Sequence, residues 1–284
     1  MPIQPERLLN HRFAEIQHNY EQRDAILYAL GLGLGADPCH RGDLRYLFET
    51  DLAVLPTFAV TLASPGMWIA APELGVDFAK LVHAKQAARF HAPLPPAAEV
   101  VGRARVIALY DRGAGRGAVL VLERSISSQT GALYCTLQQT LLLRGDGGYG
   151  GAAPPMTRSL IPDRPADAEV TVQVSPRAAL IYRLSGDKNP LHVDPDAARR
   201  AGFDRPILHG LASYGMAAVA AASASGRAPA DVTAVQCRFS GVVLPGDMIA
   251  FKIWKGESKA MFQAFVGDRK VLDQGLVSFE AKHE

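Results

Sequence analysis

Residues 210–225 read GLASYGMAAVAAASAS, a run that is apolar and small almost all the way round. At helical spacing it has no polar face, and a helix without one has to be buried. A curved antiparallel sheet can bury a single helix, and small side chains let the two approach closely. The strands for such a sheet follow directly. Arg238-Phe239 and Leu244-Pro245-Gly246-Asp247 lead into MIAFKIWK, AMFQAFVG and KVLDQGLVSFE, each with the residue types of a strand.

The same order of signals occurs in the first half. There Arg89-Phe90 and Leu94-Pro95 precede VVGRARVIAL, GAVLVLERSIS and ALYCTLQQTLLL. The halves therefore read as duplicated modules. The counterpart of the buried helix is expected, in degenerate form, over residues 75–88 (GVDFAKLVHAKQAA). A further helix is expected from Pro5 to Leu30, stopped by the glycines of LGLGLGAD. Between the halves, residues 144–155 (RGDGGYGGAAPP) concentrate Gly and Pro, which pack neither as helix nor as strand. That segment is expected to be loosely held and to separate modules over 1–145 and 156–284. The fold class expected is α+β, each module a curved antiparallel sheet around a central helix.

Composition excludes several functions. In 284 residues, 30 Lys plus Arg stand against 28 Asp plus Glu, a net charge of +2 that argues for no polyanionic partner, so nucleic acid is not expected. Cys39, Cys135 and Cys237 are far apart, neither a disulfide framework nor a zinc pattern. The N-terminal MPIQPERLLNHRF lacks a signal peptide's apolar core, and no run approaches the ~20 apolar residues that span a bilayer. The final AKHE is no peroxisomal tripeptide. A cytoplasmic protein without membrane contact is the default expectation.

Residues 182–194 read YRLSGDKNPLHVD. Gly186 and Pro190 bracket a tight loop, so Asp187 and His192 can face one cavity across a short gap. A carboxylate and an imidazole aimed at one water can divide its activation, one drawing off a proton while the other orients it or delivers a proton elsewhere. Hydration of a double bond conjugated to a thioester needs that division, together with stabilisation of an enolate oxygen. At His209-Gly210 the chain enters the buried helix, whose first N–H groups lack intrahelical partners and can serve an anion. Gly210 lets a ligand oxygen approach the backbone. Read singly, Asp187 and Asn189 are ordinary turn residues and His192 an interior histidine; the whole string followed by this helix favours a site. A metal site of His192, Asp194 and His209 is possible by residue type but lacks any close ligand spacing.

The string from Tyr182 to Gly215, YRLSGDKNPLHVDPDAARRAGFDRPILHGLASYG, resembles the signature of the MaoC-like (R)-specific enoyl-CoA hydratases, or hydratase 2. With LVHAKQ in the first half and CRFSGVVLPGD in the second, the layout resembles the hydratase unit of peroxisomal multifunctional enzymes. The resemblance implies a double hot-dog fold whose second module is catalytic and whose first widens the tunnel for longer acyl chains. It places the catalytic Asp, His and oxyanion glycine on Asp187, His192 and Gly210. Substrate contacts fall on His83, Ala84, Arg112, Asn189 and Phe239. Where the family commonly has His-Gly-Glu-Gln, this chain has His83-Ala84-Lys85-Gln86, which opens the question of chain length. Without the resemblance His83 reads as a packing histidine, Arg112 as a solvated turn charge and Phe239 as a core aromatic.

The resemblance implies a reversible addition of water to a trans-2-enoyl-CoA, giving (3R)-3-hydroxyacyl-CoA of medium to long chain. It implies no metal and no cofactor beyond the coenzyme A of the substrate, and a homodimer, because a hot-dog sheet leaves an edge that pairs with another module of its own or another chain. The alternatives are a hot-dog thioesterase, disfavoured by the absence of Asp or Glu from Gly210 to Ser225, and a non-catalytic acyl-CoA binding protein.

Overall fold

The computed structural model describes residues 3–156 and 158–280, and its strands fall into two sets of five with the same internal order. The first set is β1 (Ile16–Tyr20), β2 (Leu81–Phe90), β3 (Ala98–Asp111), β4 (Ala118–Ser128) and β5 (Leu133–Leu143), laid side by side as β1-β3-β4-β5-β2. The second is β6 (Ala168–Gln173), β7 (Val232–Phe239), β8 (Met248–Lys255), β9 (Lys259–Val266) and β10 (Arg269–Phe279), laid side by side as β6-β8-β9-β10-β7. Antiparallel pairing of β2 with β7 joins them into one ten-stranded sheet. Lys85 pairs with Arg238 and Arg89 with Ala234, so the seam is symmetric about the Ala87–Gln236 pair. The two Arg-Phe repeats of the sequence end the two strands of this seam. The module edge expected to seek a second chain is thus filled by the other half of the same chain.

Helices α1 (Pro5–Leu9), α2 (Gln22–Gly31) and α3 (Arg41–Leu44) belong to the first half, and α4 (Ala178–Tyr182), α5 (Pro195–Arg200) and α6 (Gly210–Ala224) to the second. Helix α6 is the one expected from its composition. It touches all five strands β6 to β10 and buries ten of its residues, from Ala212 to Ala222, which makes the second module a hot-dog. Gly215 sits where α2 crosses it: a Cβ there would lie 2.7 Å from the Tyr28 hydroxyl and from a Leu32 methyl. Tyr28, Tyr182 and Tyr214 are fully buried around this crossing, and the Tyr214 hydroxyl donates to the Val235 carbonyl at 3.0 Å.

Two helical expectations fail. Residues 81–90 of the 75–88 segment and its flank are strand β2, preceded only by a single 3-10 turn at Phe78–Lys80. Hydrogen bonding to β5 on one side and β7 on the other outweighs the helical preference of its alanines. In place of a long central helix, the first half buries the short 3-10 segment Pro56–Thr61, with Thr57, Phe58, Ala59 and Val60 all inaccessible. Pro5 to Leu30 is not one helix but α1, β1 and α2. The restart is marked by Asp24, whose carboxylate accepts the Glu21 N–H at 2.9 Å as half of a capping box.

The glycine-rich connection is held more firmly than its composition suggests. The buried Asp111 carboxylate at the end of β3 accepts the N–H groups of Gly113, Gly148 and Gly150, each at 2.7 Å. Those bonds, those from Gly148 and Gly113 above all, hold its pKa down at about 2. Cys39, Cys135 and Cys237 are free thiols. Among the described residues, no helix is long and apolar enough to cross a membrane.

Candidate active site

The loop after α4 turns at Gly186, whose φ of 112° lies in the left-handed region that a side chain disfavours. Beyond it Asn189 caps the turn Pro190–His192, its side-chain oxygen accepting the Leu191 N–H at 3.1 Å. The Asn189 N–H in turn donates to the Asp187 carboxylate at 3.2 Å. Asp187 is left exposed to the cavity, while His192 is 8% exposed. The turn therefore holds a carboxylate at its mouth and an imidazole at its back, as the spacing suggests.

His192 Nδ1 donates to the Ile207 carbonyl at 2.8 Å, which leaves Nε2 as the acceptor nitrogen. Burial lowers its pKa, so the ring is neutral and able to take a proton. Against it stacks His209, with ring centroids 3.7 Å apart and planes 26° from parallel. His209 Nε2 donates to the Asp187 backbone carbonyl at 3.2 Å, and its Nδ1 is buried without a partner. Burial, and then the neighbouring His192, bring its pKa to about 4. His209 is thus a neutral brace that ties the Asp187 loop to the start of α6.

Asp187, His192 and His209 each offer a donor atom, and these lie within 4.8 Å of one another. The metal grouping that sequence composition allowed is corrected here: Asp194 caps α5 instead, accepting the Asp196 N–H at 2.8 Å. One nitrogen of each ring is already taken by a backbone carbonyl.

Gly210 opens α6, and His209 before it makes no side-chain cap, so the first N–H groups face outward. A Cβ on Gly210 would stand 3.2 Å from the Phe239 ring, so glycine keeps this helix end both open and closely packed. Phe239 in turn meets His83 edge to face at 4.9 Å. A β-bulge at Ala84 shifts the β2–β5 register between His83 and Lys85. His83 and Gln86, which a regular strand would point to opposite faces, consequently line the same cavity. Burial lowers the His83 pKa to about 4.

That cavity encloses about 520 Å³ and is walled by Gly186, Asp187 and Asn189 on one side and by His83, Gln86 and Arg124 on the other. Of the residues singled out from sequence, Asp187, Asn189 and His83 line it, His192 stands beside Asp187, and Gly210 and Phe239 pack in turn behind His83. Ala84 acts through the bulge and does not line it. Arg112 sits apart in the exposed β3–β4 hairpin, its N–H on the Gly117 carbonyl. Sequence reasoning passed over Gln86 and Arg124, whose positions depend on strand register, and Tyr182 at the end of α4, and treated His209 only as a metal ligand or a helix start.

A fold of two hot-dog halves with one acid–imidazole site defines a class, and comparison with known proteins gives it a family. The MaoC like domain matches residues 158–274 and the MFE-2 hydratase 2 N-terminal domain residues 18–145, and the chain belongs to this two-module family. It is 36% identical over 262 residues to an enoyl-CoA hydratase of Mycobacterium tuberculosis, covering 90% of each chain. It is 39% identical over 277 residues to a 3-hydroxyacyl-thioester dehydratase of the same bacterium, covering 92% of this chain and 93% of the other. The crystal structure of a MaoC-like dehydratase from Phytophthora capsici superposes with a TM-score of 0.86 at 30% identity, covering 99% of this chain and all of that one.

Proposed function

We propose that this hydro-lyase adds water reversibly to trans-2-enoyl-CoA thioesters and releases (3R)-3-hydroxyacyl-CoA. The observation that carries the reading is the placement of His192, whose Nδ1 is held by the Ile207 carbonyl while its ring and the Asp187 carboxylate offer atoms within 4.8 Å of each other, a separation that one water can bridge. Between them the pair takes up a proton as the water oxygen bonds to C3, and returns one to C2, so each cycle ends in the starting protonation state. The enolate oxygen that forms meanwhile lies against the open N–H groups at Gly210, where fixed donors and the helix dipole favour negative charge. The module over 156–284 supplies this chemistry. The module over 1–145 supplies the far wall of a cavity whose volume suits an acyl chain of medium length. No carboxylate lies on α6 to attack or hydrolyse the thioester.

The test follows the loss of enoyl-thioester absorbance with purified protein. The product should resist a dehydrogenase specific for the 3S isomer. Consumption of the product by that enzyme would refute the stereochemistry, and release of free coenzyme A in place of hydration would favour the thioesterase.

A further inference from the structure

Arg124 is out of place in a pocket for a plain hydrocarbon chain. It lies on β4 and lines the cavity, while its neighbour Glu123 points to the opposite face and pairs with Arg105 and Gln138. Among the described residues Arg124 uses one of its five donors, from Nη2 to the Val60 carbonyl at 2.7 Å. Its Nε is buried with no partner. Among the described residues it has no ion pair within salt-bridge distance; burial, first, lowers its pKa to about 10, and Cys135 raises it in part. The pKa of His18, close by, is lowered by burial first, with Asp24 opposing the shift and Arg124 adding to it.

The polar surface extends beyond this one residue. Gln86 lies opposite Gln139 across β2–β5, and Gln139 opposite Leu122 across β5–β4, two residues from Arg124 on the same face. Gln86, Gln139 and Arg124 therefore form a strip across three adjacent strands of the cavity wall. An unpaired buried guanidinium is costly, and the cost is recovered when an anion enters and accepts its fork of N–H groups.

Resting on the hydratase reading, we propose that the preferred substrate carries a second carboxylate on its acyl chain and that Arg124 binds it. The thioester end is fixed at Asp187 and Gly210 in the second module. Arg124 is on the first-module wall, bonded to the Val60 carbonyl of the buried segment Pro56–Thr61, and in this proposal the chain runs from the thioester along the cavity to its guanidinium. Gln86 and Gln139 supply amide donors along the way.

The experiment measures binding separately from turnover. Saturated acyl-CoA thioesters ending in a methyl group or in a carboxylate, matched over a series of chain lengths, are titrated calorimetrically into the wild-type protein and the Arg124→Gln and Arg124→Lys variants. At one length the carboxylate-ended thioester should bind roughly tenfold or more tighter than its methyl-ended match, the size of a charge-assisted hydrogen bond. Arg124→Gln should abolish that preference with little change for the methyl-ended series, and Arg124→Lys should keep part of it. A wild-type preference for methyl ends at every length would overturn the proposal. So would equal weakening of both series in Arg124→Gln, the result expected if Arg124 holds a coenzyme phosphate or only supports the fold. Failure of the wild-type protein to hydrate any 2-enoyl thioester would count against the hydratase reading alone, because the binding preference is judged without turnover.

Discussion

The connection from β1 to β2 and that from β6 to β7 occupy the same slot in two copies of one topology, and they hold different things. In the second module the slot contains α4, the Asp187 loop, α5 and the fifteen-residue α6. In the first it contains α2, α3 and a set of 3-10 turns, with no helix comparable to α6. One copy fills its slot with a fifteen-residue helix whose first turn has no side-chain cap. The other lacks that helix, and the cavity lies between its wall and the catalytic loop. In the proposed function this difference assigns the chemistry to one half and the shape of the substrate space to the other.

The sharpest way to break this division is to remove chemistry from the second module alone. Asp187→Asn and His192→Gln should each lower kcat by roughly 10²-fold or more, the range for lost general acid–base assistance. The double variant should be little worse than the poorer single one, since residues acting as a unit are not additive. Near-normal hydration by Asp187→Asn would end the assignment.

A smaller loss is expected from Gly210→Ala. The added methyl would meet the Phe239 ring at 3.2 Å and shift the open end of α6. Displacements well under 1 Å should cost about tenfold in kcat, given that a full 1 Å misplacement can cost about 10²-fold. Near-ultraviolet circular dichroism should be unchanged, and an unaltered kcat would remove Gly210 from the site.

The pH dependence separates the buried histidines from the surface. The His209 pKa falls from 6.5 to about 4 on folding, and that of His83 likewise. Between those values the unfolded chain binds more protons, so the stability these rings contribute is present above pH 6.5 and lost as the pH falls toward 4. The Tm should drop across that window, and His209→Asn should flatten the drop. A Tm that is level across it would contradict the buried neutral pair.

The smallest effect is expected from chelation. With the water activated by Asp187 and His192 and the enolate held by backbone N–H groups, hydration should survive exhaustive EDTA treatment. Activity lost to EDTA and restored by one divalent ion would reassign Asp187, His192 and His209 as metal ligands.

Much of the site is local in sequence and was legible there. Gly186, Asp187, Asn189 and His192 sit within seven residues, so turn geometry alone brings them together. Helix α6 was readable because a run of small apolar residues has only one stable place, inside a sheet. The duplication was readable because the Arg-Phe repeats precede equivalent strands. Residues 81–90 were not, because alanine-rich segments fit either state until two neighbouring strands claim their hydrogen bonds. The Ala84 bulge that puts His83 beside Gln86 leaves no mark in the sequence.

By itself, then, the sequence determined the α+β class, the paired modules, the acid–imidazole loop and the glycine at the helix start. These follow from contacts a few residues apart or from a composition that admits one environment. Only the tertiary structure decided that β2 and β7 close the module edges on each other, that His209 braces Asp187, and that Arg124 faces the cavity unpaired. The first and last depend on strand register, where a one-residue slip turns a side chain from cavity to solvent, and the brace depends on how the start of α6 packs against the Asp187 loop.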